Sequence, residues 1–188
     1  MPYSGIRLIM KPPPERLETD RLVLRRSSTT DAAAVFERWA QDPEVTRSLV
    51  WCPHNSIEDT HAFLSRCKTA WVQGEEFVWM MEEKTTGGIV GSLAARPGAH
   101  GVSLGYLMAR DSWGQGLMTE AVISVAAWWL AQKDIHRVWA TCDVENQGSA
   151  RVLEKAGFFL EGTLLRWEHH PNIGDEPRDA LCYSWVRE

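Results

Sequence analysis

The sequence predicts a single α+β domain, a mixed and mostly antiparallel sheet with helices packed on its faces. Three observations point there. Apolar residues recur at helical spacing in the first third of the chain, change to period-two alternation over residues 77–108, and return to helical spacing over 116–132. The alternating segments are joined by short Gly-rich turns, Lys84–Gly88 and Pro97–Gly101, which make an antiparallel meander rather than β-α-β repeats. At 188 residues, 44% hydrophobic and 24% charged, the chain suffices for one core and is too short for two ordinary domains with a linker.

Each element follows in order. Residues 1–16 read as an extended arm, because Pro12-Pro13-Pro14 supplies no ladder donors and favours polyproline II, so the ordered domain is expected over 17–188. Leu22-Val23-Leu24 is a short strand. Thr30 is expected as the N-cap of a helix carrying Ala32, Val35, Phe36 and Trp39 at spacings of three and four, with Asp42-Pro43 as its end. A second helix over 57–73 places Phe63, Leu64, Cys67, Ala70 and Trp71 on one face. Ser56 and Asp59 form its acidic capping box and Gly74 its close. Strands are expected at 77–82, 89–95 and 102–108. A long helix over 116–132 then carries Leu117, Ala121, Val125, Trp128 and Trp129, and is followed by a strand at 138–144. A short helix over 149–156 ends at Gly157, and strands at 158–166 and 181–186 complete seven strands and about four helices.

Composition excludes several functions. A net charge of -5, with no basic run longer than Arg25-Arg26, argues against nucleic-acid binding. The longest apolar stretch, Ala121–Ala131, is shorter than the roughly 20 residues a membrane span needs, and the amino end lacks the apolar core of a secretory signal, so a cytoplasmic protein is expected. Cys52, Cys67, Cys142 and Cys182 are dispersed without metal spacing, and His169-His170 would face opposite sides of a strand, so no metal site is expected. Ten tryptophans are far above ordinary usage and ask for an explanation.

Chemistry concentrates where the third meander strand meets the long helix, at Arg110-Asp111-Ser112-Trp113-Gly114-Gln115-Gly116-Leu117-Met118-Thr119-Glu120. Two glycines before a helix let several unpaired amides aim at one point, where the helix dipole adds positive charge. That is an anion site suited to phosphate or pyrophosphate, and Thr119 adds a hydroxyl. A P-loop would need Gly-Lys-Ser/Thr, and Leu117-Met118 stand there instead. A dinucleotide fingerprint would need glycine at Thr119 and a parallel β-α-β context, although Asp143 at the end of the next strand keeps a dinucleotide-dependent oxidoreductase open as an alternative.

Trp-Gly-x-Gly-x-x-x-Glu-Ala at Trp113–Ala121, then Asn-x-x-Ser-x-x-x-x-x-Lys-x-Gly-Phe at Asn146–Phe158, then Glu161-Gly162, resemble the GCN5-related N-acetyltransferases. The branch acetylating ribosomal-protein N-termini is the most similar. The resemblance extends from Leu17–Arg25, which looks like an opening strand, to Asp179–Tyr183, which looks like a closing one. It implies a GNAT-like seven-stranded sheet flanked by about four helices, with a splayed strand pair holding acetyl-coenzyme A. The pyrophosphate would rest on Gly114, Gln115, Gly116, Leu117, Met118 and Thr119. The pantetheine arm would pair with the backbone of Leu107 and Met108, and Asn146 would hold it from the other side.

One position departs from the family pattern. Asp111 stands where Gln or Arg is usual, so it should turn to solvent or be compensated by Arg110, while Arg110, Arg151 and Lys155 are the candidates for local positive potential. For the transfer, the resemblance implies Ser149 at the departing thiolate and Glu168 as acceptor of the amine's proton. Ser149 also reads as a helix N-cap, and Glu168 follows Trp167, whose apolar wall would suit a base working near neutral pH.

An α-amine, with an unperturbed pKa of about 8, needs less help than a lysine amine at about 10.4, which favours a protein N-terminus attacking directly in a ternary complex. Small-molecule amines and a non-catalytic coenzyme-binding sensor are the alternatives. Trp51, Trp79 and Trp167 are candidate walls of the acceptor pocket, with a core role as the competing assignment for each. An exposed apolar helix face or sheet edge would support a homodimer.

Overall fold

The computed structural model describes residues 11–187. Of the expected arm, residues 1–10 lie outside the described residues, and Pro14 carries a carbonyl that accepts the Trp79 indole N–H at 3.0 Å. The sheet has eight strands: β1 (Arg16–Glu18), β2 (Leu22–Arg26), β3 (Phe77–Glu83), β4 (Ile89–Gly98), β5 (Gly101–Met108), β6 (Arg137–Asp143), β7 (Phe159–Glu168) and β8 (Arg178–Val186). Their order is β1-β2-β3-β4-β5-β6-β8-β7. The eighth strand, absent from the sequence reading, is β1. Three residues are too few to show alternation, and they become a strand by pairing Arg16, Leu17 and Glu18 with Arg25, Leu24 and Val23.

The helices are α1 (Ala32–Val35), α2 (Pro43–Thr46), α3 (Ile57–Gln73), α4 (Leu117–Leu130) and α5 (Gln147–Lys155). Two local expectations need correction. Ser28, rather than Thr30, caps the first helical turn: its hydroxyl accepts from the Thr30 N–H, and Asp31 returns a bond to the Ser28 N–H at 2.8 Å. Past Val35 the helix widens into a π-type turn over Phe36–Ala40. Asp42-Pro43 then starts α2, because Asp42 Oδ1 accepts from the Glu44 N–H at 2.9 Å and proline fits a first helical position. For α3, Asp59 accepts from the Ser56 N–H at 3.2 Å and Gly74 closes in the left-handed conformation, as expected.

Both faces of the sheet are covered. Phe77, Trp79 and Met81 of β3 join Leu117, Ala121, Val125 and Trp129 of α4 in one core, while Val78 and Met80 join Val35, Trp39 and Leu64 in the other. Alternation on β3 therefore separates two apolar faces rather than an inner and an outer one. Trp39, Trp71, Trp79 and Trp129 are buried, and Trp71 meets Phe77 and Trp79 edge-on at 5.2 Å, so much of the tryptophan excess is packing. At the far edge β7 exposes Phe159, Leu160, Leu165 and Trp167. Among the described residues no helix is long and apolar enough to cross a membrane.

All neighbouring strands run antiparallel except β5 and β6. That parallel pair is joined only at Val102–Val138 and Ser103–Trp139, and beyond Ser103 the strands part. The gap is the expected splay, and it positions everything that follows.

Candidate active site

A cleft of about 740 Å3 opens at the splay. Leu107 and Met108 line it from β5. Gly114, Gly116, Leu117, Met118 and Thr119 line it from the entry of α4, and Asn146, Ser149 and Lys155 from α5. Gly114 and Gly116 adopt φ of 75° and 78°, which side-chain-bearing residues reach only with strain, and the sharp turn delivers the chain into α4. The first intrahelical bond at this entry, Glu120 N–H to the Gly116 carbonyl, leaves the amides of Leu117, Met118 and Thr119 without helical partners. Free amides at the positive end of a helix dipole are the donors that the expected anion site requires.

Gln115 does not line the cleft. Its side chain turns back to donate to the Asp111 carbonyl at 3.1 Å, and its own carbonyl accepts from Arg21 at 2.9 Å. Arg21 also reaches Glu120, with its N–H at 2.8 Å and Nε at 2.7 Å, and Thr19 donates to the same carboxylate. Burial works against ionisation of Glu120, but these bonds hold its carboxyl below the usual range. The opening Thr19-Asp20-Arg21 segment thus clamps the anion loop from a hundred residues away in sequence. Trp113 locks the other side, its indole donating to the Met108 carbonyl at 2.7 Å, so one of the strand groups expected to meet the pantetheine arm already has a partner.

The charges around the cleft are arranged differently from expectation. Asp111 is turned to solvent, the first of the two expected outcomes, but its charge is not served by Arg110. Arg38 takes it, with Nη2 at 2.7 and 2.9 Å from the two carboxylate oxygens, and Arg110 lies 3.7 Å from Asp42. Arg151 and Lys155 line the cleft together with Arg47, and among the described residues none of the three is in an ion pair. Arg47 went unnoticed in the sequence because α2 did.

A second cavity, of about 380 Å3, adjoins the first. Trp51 and Phe63 form an aromatic side, with ring centroids 6.4 Å apart, and His54 lies against Trp51 at 5.1 Å. Glu168, His170, Glu76 and Arg96 also line it. Tyr106, Asn146 and Ser149 border both cavities, so the two meet along this seam. Asn146 caps α5, its Oδ1 accepting from the Ser149 N–H at 3.0 Å. The cap assigned to Ser149 therefore belongs to Asn146, and the serine hydroxyl is left to meet Tyr106 Oη at 2.9 Å.

Of the three tryptophans assigned to the pocket, one lines it. Trp79 is fully buried in the core with its indole N–H bound to Pro14, because β3 has apolar layers on both sides. Trp167 is half-exposed and lines neither cavity, since successive strand residues face opposite ways and Glu168 takes the inward side. The aim of Glu168 is set by an irregularity in β7, where the register slips between Leu164 and Glu168 and Arg166 has φ 48°.

Asp143, noted in the sequence at the end of its strand, is buried and lines both cavities. Burial opposes ionisation of Asp143, but Arg178 at 2.5 Å and the Glu145 N–H at 2.9 Å hold its carboxyl below the usual range. His170 Nε2 sits 3.8 Å from the same carboxylate. Among the described residues no group of three or more His, Cys, Asp or Glu could hold a metal ion.

Residues 21–159 match the family described as acetyltransferase (GNAT) domain. The chain belongs to the GNAT acetyltransferase family. It is 28% identical over 178 residues to the uncharacterised N-acetyltransferase YoaA of Bacillus subtilis, spanning 91% of this chain and 96% of that one. It is 28% identical over 159 residues to the [ribosomal protein uS5]-alanine N-acetyltransferase of Escherichia coli, spanning 80% and 81%. Among solved GNAT structures, the microcin C7 self-immunity acetyltransferase MccE, in complex with acetyl-CoA and AMP, superposes with a TM-score of 0.83 at 20% identity, covering 94% of this chain and 98% of that one. RimL, the ribosomal L7/L12 α-N-protein acetyltransferase, in complex with coenzyme A, gives 0.81 at 21% identity, covering 92% and 98%. The GNAT fold and the N-acetyltransferase class are therefore established for this chain.

Proposed function

We propose that this GNAT enzyme transfers an acetyl group from acetyl-coenzyme A to a primary amine, with the α-amine of a protein N-terminus as the acceptor, by direct attack in a ternary complex. The observation that carries the reading is the seam. A long cleft with an anion-binding loop at one end and a smaller aromatic cavity share Tyr106, Asn146 and Ser149, and Glu168 stands on the smaller side only. Donor and acceptor can be held at once, which direct attack requires.

In this reading the amides of Leu117, Met118 and Thr119 hold the pyrophosphate, with Arg47, Arg151 and Lys155 supplying the positive potential that a protein of net charge -5 otherwise lacks. The amine nitrogen forms its bond to the thioester carbon while the carbon–sulfur bond breaks. Glu168 takes the amine's proton, sulfur leaves with the electron pair and collects the Ser149 hydroxyl proton, and solvent returns the proton from Glu168 to Ser149. An α-amine suits so modest a base, being about two pKa units easier to deprotonate than a lysine. The relative that acetylates a ribosomal-protein alanine supports this acceptor class.

The competing acceptor is a small-molecule amine, favoured by a cavity whose roughly 380 Å3 lies at the low end of the range for small ligands. Incubating cell extract with the enzyme and isotopically labelled acetyl-coenzyme A, then analysing proteins and metabolites by mass spectrometry, separates the two. Label on protein N-termini is the expected result, and label confined to metabolites replaces the acceptor while keeping the chemistry. Thermal-shift measurements should show stabilisation by acetyl-coenzyme A and none by NAD or NADP. Stabilisation without turnover on any amine would make the chain a coenzyme sensor.

A further inference from the structure

Tyr106 is the residue on the seam to which no role has yet been given. It lies on the same face of β5 as the buried Val102 and Leu104, and its side chain packs against the core they form. Its hydroxyl reaches across the splay to Ser149, with Oη 2.9 Å from Ser149 Oγ and 3.3 Å from the Ser149 carbonyl oxygen. We propose that Tyr106 is a positioning residue for the departure of the thiolate: by donating to Ser149 Oγ, it turns the serine's own proton toward the donor sulfur. The inference rests on the reading of Ser149 as the hydroxyl that meets that sulfur.

The direction of the bond follows from the groups present. Two hydroxyls 2.9 Å apart share one hydrogen bond, and either oxygen can be the donor. The Ser149 carbonyl can only accept, so both oxygens that serine offers within reach favour a tyrosine proton pointing at them. A phenol is also a better donor than an aliphatic alcohol, and burial pushes the Tyr106 phenol up, which keeps its proton in place. If serine donated to tyrosine, its proton would be engaged by Tyr106 Oη and withheld from the donor sulfur. With tyrosine donating, the serine proton is free for the sulfur, and the Asn146 cap on the Ser149 N–H fixes the backbone that carries it.

The test needs no acceptor. Free coenzyme A bound in the cleft presents a thiol whose ionisation is eased by any hydroxyl proton aimed at it. The thiolate absorbance of bound coenzyme A can be titrated as a difference against the same protein without coenzyme. The neighbouring titratable groups do not interfere near neutrality: burial pushes Cys142 up to about 11 and Tyr183 up to about 12, while Asp143 is held ionised by Arg178 against its burial. Ser149→Ala should raise the pKa of the bound thiol by about one unit, a tenfold loss of thiolate at a given pH. Tyr106→Phe keeps the ring, should leave coenzyme affinity within about twofold, and should give about half that rise. The double variant should match Ser149→Ala alone.

A thiol pKa that rises in Ser149→Ala and stays unchanged in Tyr106→Phe would overturn the role of Tyr106 and leave that of Ser149 standing. A thiol insensitive to Ser149→Ala would remove both, and equal and additive effects would show that Tyr106 acts on the sulfur independently of serine.

Discussion

Glu168 and Trp167 are adjacent in the chain, yet one lines the smaller cavity and the other faces away from it. Their order was readable; which of them faces inward was not, because the slip of register before Glu168 resets the alternation. Glu168→Gln keeps size while removing the carboxylate proposed as base, so kcat should fall by about 100-fold or more with acetyl-coenzyme A affinity unchanged, as measured by steady-state kinetics and direct binding. Asp143 makes a prediction of a different kind. Its carboxyl is held below its unfolded value near 3.9, so its contribution to stability is fully present above that value and is lost as pH falls through the lower, folded one. Asp143→Asn leaves Arg178 without its buried carboxylate and should cost about 3 kcal/mol near neutrality. Melting both proteins between pH 7 and 2.5 should show the gap narrowing at the acid end. A constant gap would mean that the carboxylate charge is not what stabilises the fold.

The anion loop and α4 behave as one element because four contacts bind them: Arg21 to Gln115, Arg21 and Thr19 to Glu120, and Trp113 to Met108. The turn itself was legible, since two glycines ahead of an apolar helix carry their geometry with them wherever the fold puts them. A methyl on Gly116 would meet only Arg21 Nη2, at 3.6 Å, so the cost of Gly116→Ala is that of the left-handed backbone. That cost is about 1 kcal/mol, and relief of it by a shift of the loop should weaken acetyl-coenzyme A binding about tenfold, read by calorimetry. α2 was not legible. Asp-Pro serves equally as the end of one helix and the start of the next, and four residues carry no period to decide between them. Arg47 and the lining it contributes were hidden with it.

Across the whole molecule the smaller cavity depends on one long-range tie. Asn172 Nδ2 donates to the carbonyls of Thr46 at 2.7 Å and Trp51 at 2.8 Å, joining the segment after Glu168 to the loop that carries the aromatic wall. Asn172→Ala loosens that loop both at Trp51, on the aromatic wall of the smaller cavity, and at Thr46, beside Arg47 of the larger cleft. The KM for the acceptor should rise about fivefold or more, while the KM for acetyl-coenzyme A rises less, because the turn ahead of α4 is held separately by Arg21 and Trp113. Equal rises in both would show that the two cavities are not separable. By itself the sequence determined what the local chain dictates: the strand and helix periods, the left-handed glycines, the capping box of α3, and the order of motifs that marks a GNAT domain. Those properties depend on neighbours within a few residues. The tertiary structure alone decided which partner each of these polar groups found: Asp111 with Arg38, Asp143 with Arg178, Tyr106 with Ser149, and Trp79 with the backbone of Pro14. Each of these joins separate segments of the chain, and only strand register and helix packing bring such atoms within hydrogen-bonding distance.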